Sequence, residues 1–218
     1  MSGCPAAVAL ILLIALIPNA HAEQEDGASA GAAAAERLVA ELGRLQSLDA
    51  AFEQVVVDAR GMVTERASGH VVAKRPGRFR WISDPPFAQQ LISDGETLWF
   101  YDPDLEQVTV RAVDDELLST PALLLSGNVE RVVKTFDVTL EVDAEGYLEF
   151  ELTPTDQGSL FESLVFSFDT RRPTLLEIVD ALGQRTRIFF TEFTPNPTVD
   201  LSSFVFEIPP GVDVIHDR

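Results

Sequence analysis

Three observations predict a mainly β (α+β) protein built as an unclosed antiparallel β-barrel or highly curved sheet. From Leu48 onward most of the chain reads as short runs with a period of two, rich in Val, Phe, Trp and Thr. Turn sequences such as Ser93-Asp94-Gly95 and Asp102-Pro103-Asp104 set those runs a few residues apart, which favours meander pairing over crossover connections. Helical spacing occurs in two places, enough to cover the concave side of a curved sheet but not to alternate with its strands.

Residues 1–22, MSGCPAAVALILLIALIPNAHA, read as a secretory signal peptide. An apolar stretch from Ala6 to Ile17 is followed by Pro18 and by the small-x-small pattern Ala20-His21-Ala22, although no Lys or Arg precedes the apolar core. The stretch is too short to span a bilayer comfortably, and no later segment approaches about 20 apolar residues. The expectation is an exported protein, mature from about Glu23, with residues 23–218 forming a single domain. The one cysteine, Cys4, leaves with the signal, so no disulfide framework, thiolate metal site or cysteine nucleophile remains. It also lies away from the cleavage point, where a lipid-anchored protein would need it.

Residues 23–35 are small and acidic, and their first half is expected to be a flexible lead. Leu38, Val39, Leu42 and Leu45 then recur at helical spacing, which predicts an amphipathic helix near 33–46. Strand-like runs follow as far as Val113. Between Asp114 and Thr135 the leucines and valines fall in two helix-length pieces, with Ser119-Thr120-Pro121 as a start signal and Gly127 as a stop, so two short helices are expected near 116–134. Beyond them Phe136, Val138 and Leu140 alternate with Asp137, Thr139 and Glu141, and Leu148, Phe150 and Leu152 alternate with Glu149 and Glu151. That is a sheet with one apolar and one polar face. A last short strand is expected at FVFEI (204–208), followed by a polar tail, for roughly ten strands in all.

A formal net charge of -19 sets the surface against nucleic acid and anionic headgroups. Enzymatic chemistry finds no constellation. His70 and His216 are isolated, no G-x-S-x-G elbow occurs, Asp114-Asp115-Glu116 fits a solvated helix start, and neither metal-ligand nor phosphate-binding spacing is present. No enzyme, cofactor or metal is therefore expected. Phenylalanine stands out at fourteen, against two Trp and two Tyr. A side chain without a polar handle suits a wholly apolar surface, and on composition alone an ordinary core and a lipid cavity fit equally well.

One local feature resists the acidic average: in KRPGRFRWISDPP, four of sixteen basic residues, Lys74, Arg75, Arg78 and Arg80, fall within seven positions. The stretch KRPGRFRWISDPPFAQQLISDGETLWFYDPDLEQVTVR closely resembles the outer-membrane lipoprotein carrier family, LolA, in Lys74-Arg75-Pro76, Phe79, Trp81, Ser93-Asp94-Gly95, Thr97 to Tyr101, Pro103 and Gln107. The insert Thr120 to Leu125 and the ending Phe204 to Val212 also fit, so the resemblance spans nearly the whole mature chain.

The resemblance implies an unclosed barrel with a helical lid over an apolar cavity that receives lipoprotein acyl chains. The cargo would arrive from an inner-membrane ABC-type transporter, cross the periplasm on a monomeric chaperone, and pass to an outer-membrane receptor or to that membrane itself. Arg75, with Pro76, would be the gate, its guanidinium holding lid carbonyls, and Phe79 would match a position tied to cargo binding. Trp81, Leu91, Leu98, Phe100, Leu123, Leu124, Phe150 and Phe166 are the further apolar residues expected to line the cavity. Arg78 and Arg80 alternate with the aromatics and should face outward, paired with strand carboxylates, with partner docking as the second reading. Two alternatives stay open: a lipid- or lipoprotein-sensing regulatory module, and a carrier of another lipid such as a glycolipid.

Overall fold

A long helix, α1 (Ala22–Gly43), precedes the sheet. The structure, a computed structural model, describes residues 22–113, 125–127, 129–156, 158–170 and 172–216. Residues 1–21, all but the last residue of the expected signal peptide, therefore lie outside the described residues, as does most of the first expected lid helix. α1 begins well before position 33, so the expected flexible lead is helical instead. Alanine has the highest helix propensity, and residues 32–35 are four consecutive alanines. One face of α1 buries Ala34, Leu38 and Leu42. Glu41 is buried too, made tolerable by Arg37 at 2.8 Å and Arg44 at 2.6 Å.

The strands are β1 (Ser47–Val57), β2 (Val63–Lys74), β3 (Arg78–Ser83), β4 (Gln89–Asp94), β5 (Thr97–Asp102) and β6 (Gln107–Ala112). After a short helix α2 (Val129–Val132) and a 3-10 turn (Val133–Thr135) come β7 (Phe136–Val142), β8 (Leu148–Pro154), β9 (Phe161–Asp169), β10 (Arg172–Asp180), β11 (Arg185–Pro195) and β12 (Asp213–His216). They form one 12-stranded sheet in the order β12-β6-β5-β4-β3-β2-β1-β11-β10-β9-β8-β7. It is thus two antiparallel meanders, β1–β6 and β7–β11, joined where β1 pairs with β11. β7 and β12 stand at the two ends of the order and are not paired with each other, so the barrel is unclosed. Register shifts at Asp49/Ala51, Val56/Val57, Pro173/Leu175 and Val179/Asp180 supply local bends that curl the sheet.

Alternation places Leu48, Ala50, Phe52, Val71, Ala73 and Phe79 on the concave face, in one apolar cluster with Phe150, Leu152, Leu164, Phe166 and Phe168. Gly69 is required there by close approach: a Cβ on it would lie 2.0 Å from the Ile82 carbonyl oxygen and 2.5 Å from Phe52 Cζ.

The C-terminal region departs from expectation. FVFEI is not a strand. The chain forms a 3-10 turn at Leu201–Phe204, capped by Asp200, and crosses the convex side of the first meander. Phe204 is buried, and the Phe206 ring lies 6.3 Å from Trp99 and 5.7 Å from Tyr101. The strand forms later, at Asp213–His216 where a polar tail was expected, because the open edge of β6 offers backbone groups for parallel pairing.

Candidate functional site

The basic run resolves into two groups. The β2–β3 turn carries Lys74-Arg75-Pro76-Gly77 against the β4–β5 turn, Ser93-Asp94-Gly95. Gly77 has φ +72, and a Cβ on it would sit 3.2 Å from Gly95 Cα, so the two glycines let the turns stack. Asp94 Oδ1 fixes the second turn by accepting from the amides of Glu96 at 2.9 Å and Thr97 at 2.8 Å.

From the first turn Arg75 reaches across two other elements. Its amide donates to the Gln46 carbonyl at 2.9 Å, its Nε donates to the Leu45 carbonyl at 2.9 Å, and its Nη1 donates to the Gly127 carbonyl. The Gly77 amide adds a bond to the Ser126 carbonyl at 2.7 Å. One planar guanidinium thus latches the connection between α1 and β1 to segment 125–127. Burial pushes the Arg75 pKa down to about 10, which still leaves it cationic at neutral pH. Beside this latch the Ser126 hydroxyl is fully buried and has no hydrogen-bond partner among the described residues.

Lys74 and Arg80 serve the opposite face. Lys74 Nζ donates to the Val199 carbonyl at 2.9 Å, and Arg80 Nη1 to the Ser203 carbonyl at 3.2 Å, with Nη2 3.4 Å from Gln90 Oε1. Arg80 does face outward, but its partners are carbonyl and amide oxygens instead of a strand carboxylate, because the C-terminal segment occupies that face. Arg78 shares the face with Arg80 by strand alternation. His70 pairs with Asp49 at 3.0 Å on the surface of the sheet.

The inward aromatics of β3 lead toward a cavity. Phe79 is buried in the main cluster, and the half-buried Trp81 ring packs on Phe52 with centroids 4.2 Å apart. At the far end of β3–β5 from Arg75 a cavity of about 430 Å³ opens, lined by the apolar Trp81, Leu91, Phe100, Phe87 and Leu105 and by the polar Gln54, Glu65, Ser83, Gln89, Asp102 and Asp104. Leu98 is half-buried against the cluster, while Phe150 and Phe166 lie inside it at 0% and 1% exposure. Leu123 and Leu124 lie outside the described residues.

A second groove of about 1210 Å³ runs between residues 30–35 of α1 and Phe136, Val138 and Leu140 of β7. It was not foreseen, since an alanine run carries no apolar periodicity. The resemblance implied lid carbonyls as partners of Arg75, but which carbonyls, those of Leu45 and Gly127, was hidden, because a carbonyl leaves no mark in the choice of side chain.

These features define an unclosed half-barrel, apolar and partly open on its concave face, with a cationic latch at one end. The chain belongs to the family described as Outer membrane lipoprotein carrier protein LolA, whose profile matches residues 43–207. An outer-membrane lipoprotein carrier protein of Pseudomonas aeruginosa (strain PAO1) is 41% identical over 185 residues, covering 85% of this chain and 88% of its own. One from Azotobacter vinelandii is 42% identical over 182 residues, covering 84% and 87%. A crystal structure of an uncharacterized conserved protein from Thermus thermophilus shares the fold, with a TM-score of 0.52 at 14% identity over 84% of this chain and 99% of that one.

Proposed function

We propose that this protein is a periplasmic chaperone that binds the acyl chains of lipoproteins released from the inner membrane by an ABC-type transporter and carries them, as a monomer, to an outer-membrane receptor or to the outer membrane itself. The observation that carries the reading is the concave apolar face, latched to segment 125–127 by Arg75 at one end and open at Trp81, Leu91 and Phe100 at the other. The names of the relatives support lipoprotein as the cargo.

The physics requires such a surface. Each CH2 of an acyl chain exposed to water costs about 0.8 kcal/mol, so a free lipoprotein does not cross an aqueous space unaided. Loading must part the Arg75 bonds and admit chains beside Phe79 and Trp81, and external work at the first membrane can supply that. Release then needs an acceptor of higher affinity, with no covalent step and no cofactor.

The test is native mass spectrometry of the mature protein purified from the periplasm, comparing wild type with Arg75→Leu. The expected result is stoichiometric acylated lipoprotein accumulating on the variant, because the lid cannot re-close to expel it. A glycolipid in its place, or nothing bound to either protein, overturns the reading.

A further inference from the structure

The cavity at the far end of β3–β5 has walls of two chemistries. Trp81, Leu91 and Phe100 make an apolar floor that rises to the exposed side chains of Phe87 and Leu105. In the next row of the same sheet face stand Ser83, Gln89 and Asp102, with Glu65 and Asp104 also lining the cavity, and among the described residues no Lys or Arg lines it. Two of the carboxylates, those of Glu65 and Asp102, are held by neutral donors. Glu65 Oε1 lies 3.3 Å from Gln54 Nε2, and Asp102 Oδ2 accepts from Gln89 Nε2 at 3.2 Å. Asp102 Oδ1 accepts from the amides of Asp104 at 3.0 Å and Leu105 at 3.1 Å. Such bonds fix the position of the charge without cancelling it.

An amphiphile changes character at one point, where its acyl chains meet its polar part, and a cavity whose lining passes from an apolar row to a row bearing carboxylates matches that junction. The volume, about 430 Å³, is within the roughly 300–1,000 Å³ of small-ligand sites. A phosphate or other anionic headgroup would meet three like charges there, and like-charge juxtaposition is an effective way to reject a partner.

We propose that this cavity seats the junction between the acyl anchor and the first residues of the cargo peptide, and that Glu65, Asp102 and Asp104 select by charge, admitting neutral or cationic segments and disfavouring anionic ones. The inference rests on the carrier reading above and adds a specificity to it. Because the carboxylates stand at a solvent-facing mouth, the selection is electrostatic and screened by salt.

The experiment uses three synthetic lipopeptides with one dipalmitoylated cysteine in common, followed by Ser-Lys-Lys, Ser-Ser-Ser or Ser-Glu-Glu. Affinity for the mature protein is measured at low and high salt. The cationic and neutral peptides are expected to bind about tenfold or more tighter than the anionic one at low salt. The gap should close at high salt and in the combined Glu65→Gln, Asp102→Asn, Asp104→Asn variant, whose thermal melt establishes that it is folded. Glu149→Gln, on the far convex surface, should leave the gap in place. Equal affinities at low salt, or a gap that survives neutralisation of all three carboxylates, overturns the selection while leaving the carrier intact. Failure of all three peptides to bind wild type overturns the carrier reading itself, and this one with it.

Discussion

The two meanders of the sheet are packed in opposite senses. On β8 and β9 the concave face is filled: Phe150, Leu152, Leu164, Phe166 and Phe168 are each at most 1% exposed, and their convex neighbours include Glu149 and Glu151. On β3 to β5 the concave face is partly open, with Trp81 and Leu91 half-buried and Phe100 37% exposed, while the convex face is closed. There Ile92, Val108 and Phe204 are buried, outside the main cluster. The difference lies in what covers each face, since the inward residue types are alike. α1 packs along β7, and the C-terminal segment lies on β3 and β4 from outside. A strand can leave one face free for a ligand when a second, separate core holds it from the other side.

Substitutions on the two inner faces should break this comparison most sharply. Phe166→Ala removes a ring that meets Phe168 edge-on at 5.0 Å and is expected to cost about 3–5 kcal/mol in chemical denaturation. Phe100→Ala, at the open end, should cost less than about 1 kcal/mol, in line with substitutions at exposed positions, yet weaken binding of a fluorescent acyl probe. Equal stability losses at the two positions would mean that the open face is ordinary core. Phe204→Ala sharpens the contrast from outside. It empties the convex core and should cost about 3 kcal/mol, with faster hydrogen exchange in β3–β6 and unchanged exchange in β8 and β9. Uniform acceleration across both meanders would show a single cooperative core.

The sequence disclosed this contrast unevenly. Period-two alternation pointed Phe79, Trp81 and Phe150 inward, and all three belong to or pack on the main cluster, but alternation reports a face and never its cover. The nine apolar cavity residues read from the sequence therefore divide. Trp81, Leu91 and Phe100 line the cavity, Phe79, Leu98, Phe150 and Phe166 belong to or pack on the main cluster, and Leu123 and Leu124 lie outside the described residues. Arg75 and its lid-carbonyl partners were implied by its motif's resemblance, whereas the particular carbonyls, of Leu45 and Gly127, were not. Glu65 and Asp102 are 37 residues apart in the chain and meet across the cavity only after three hairpins have formed.

The latch joins the closed part of the molecule to the open one, and Ser126 allows its strength to be adjusted. A buried hydroxyl without a partner costs about 1–3 kcal/mol of desolvation, so Ser126→Ala should stabilise the latched form by about 1 kcal/mol. The expected outcome is a raised melting temperature together with weaker uptake of the acyl probe, opposite in sign to Arg75→Leu. A raised melting temperature with unchanged uptake would separate folding stability from gating and remove segment 125–127 from the binding cycle.

The smallest effect should come from Lys74. Its bond to the Val199 carbonyl is one of two cation-to-carbonyl ties between the first meander and the C-terminal segment among the described residues, the other being Arg80 to Ser203. Lys74→Met keeps the length of the stem and removes the donor, weakening the local attachment of the segment by no more than one hydrogen bond. Because Phe204 and Phe206 still anchor the segment, global unfolding should barely shift, and the change should appear as faster proteolysis within 196–203. If the convex core holds β3–β5 in place of an inner cover, loosening the segment must also loosen the concave end of those strands. The Lys74→Met and Arg80→Met pair should then broaden the mobility of Trp81, read by the anisotropy of its fluorescence in a Trp99→Phe background. Unchanged Trp81 motion alongside a freely cleaved segment would mean that β3–β5 hold their shape by hairpin pairing alone, and that the outer core is not what keeps the inner face available.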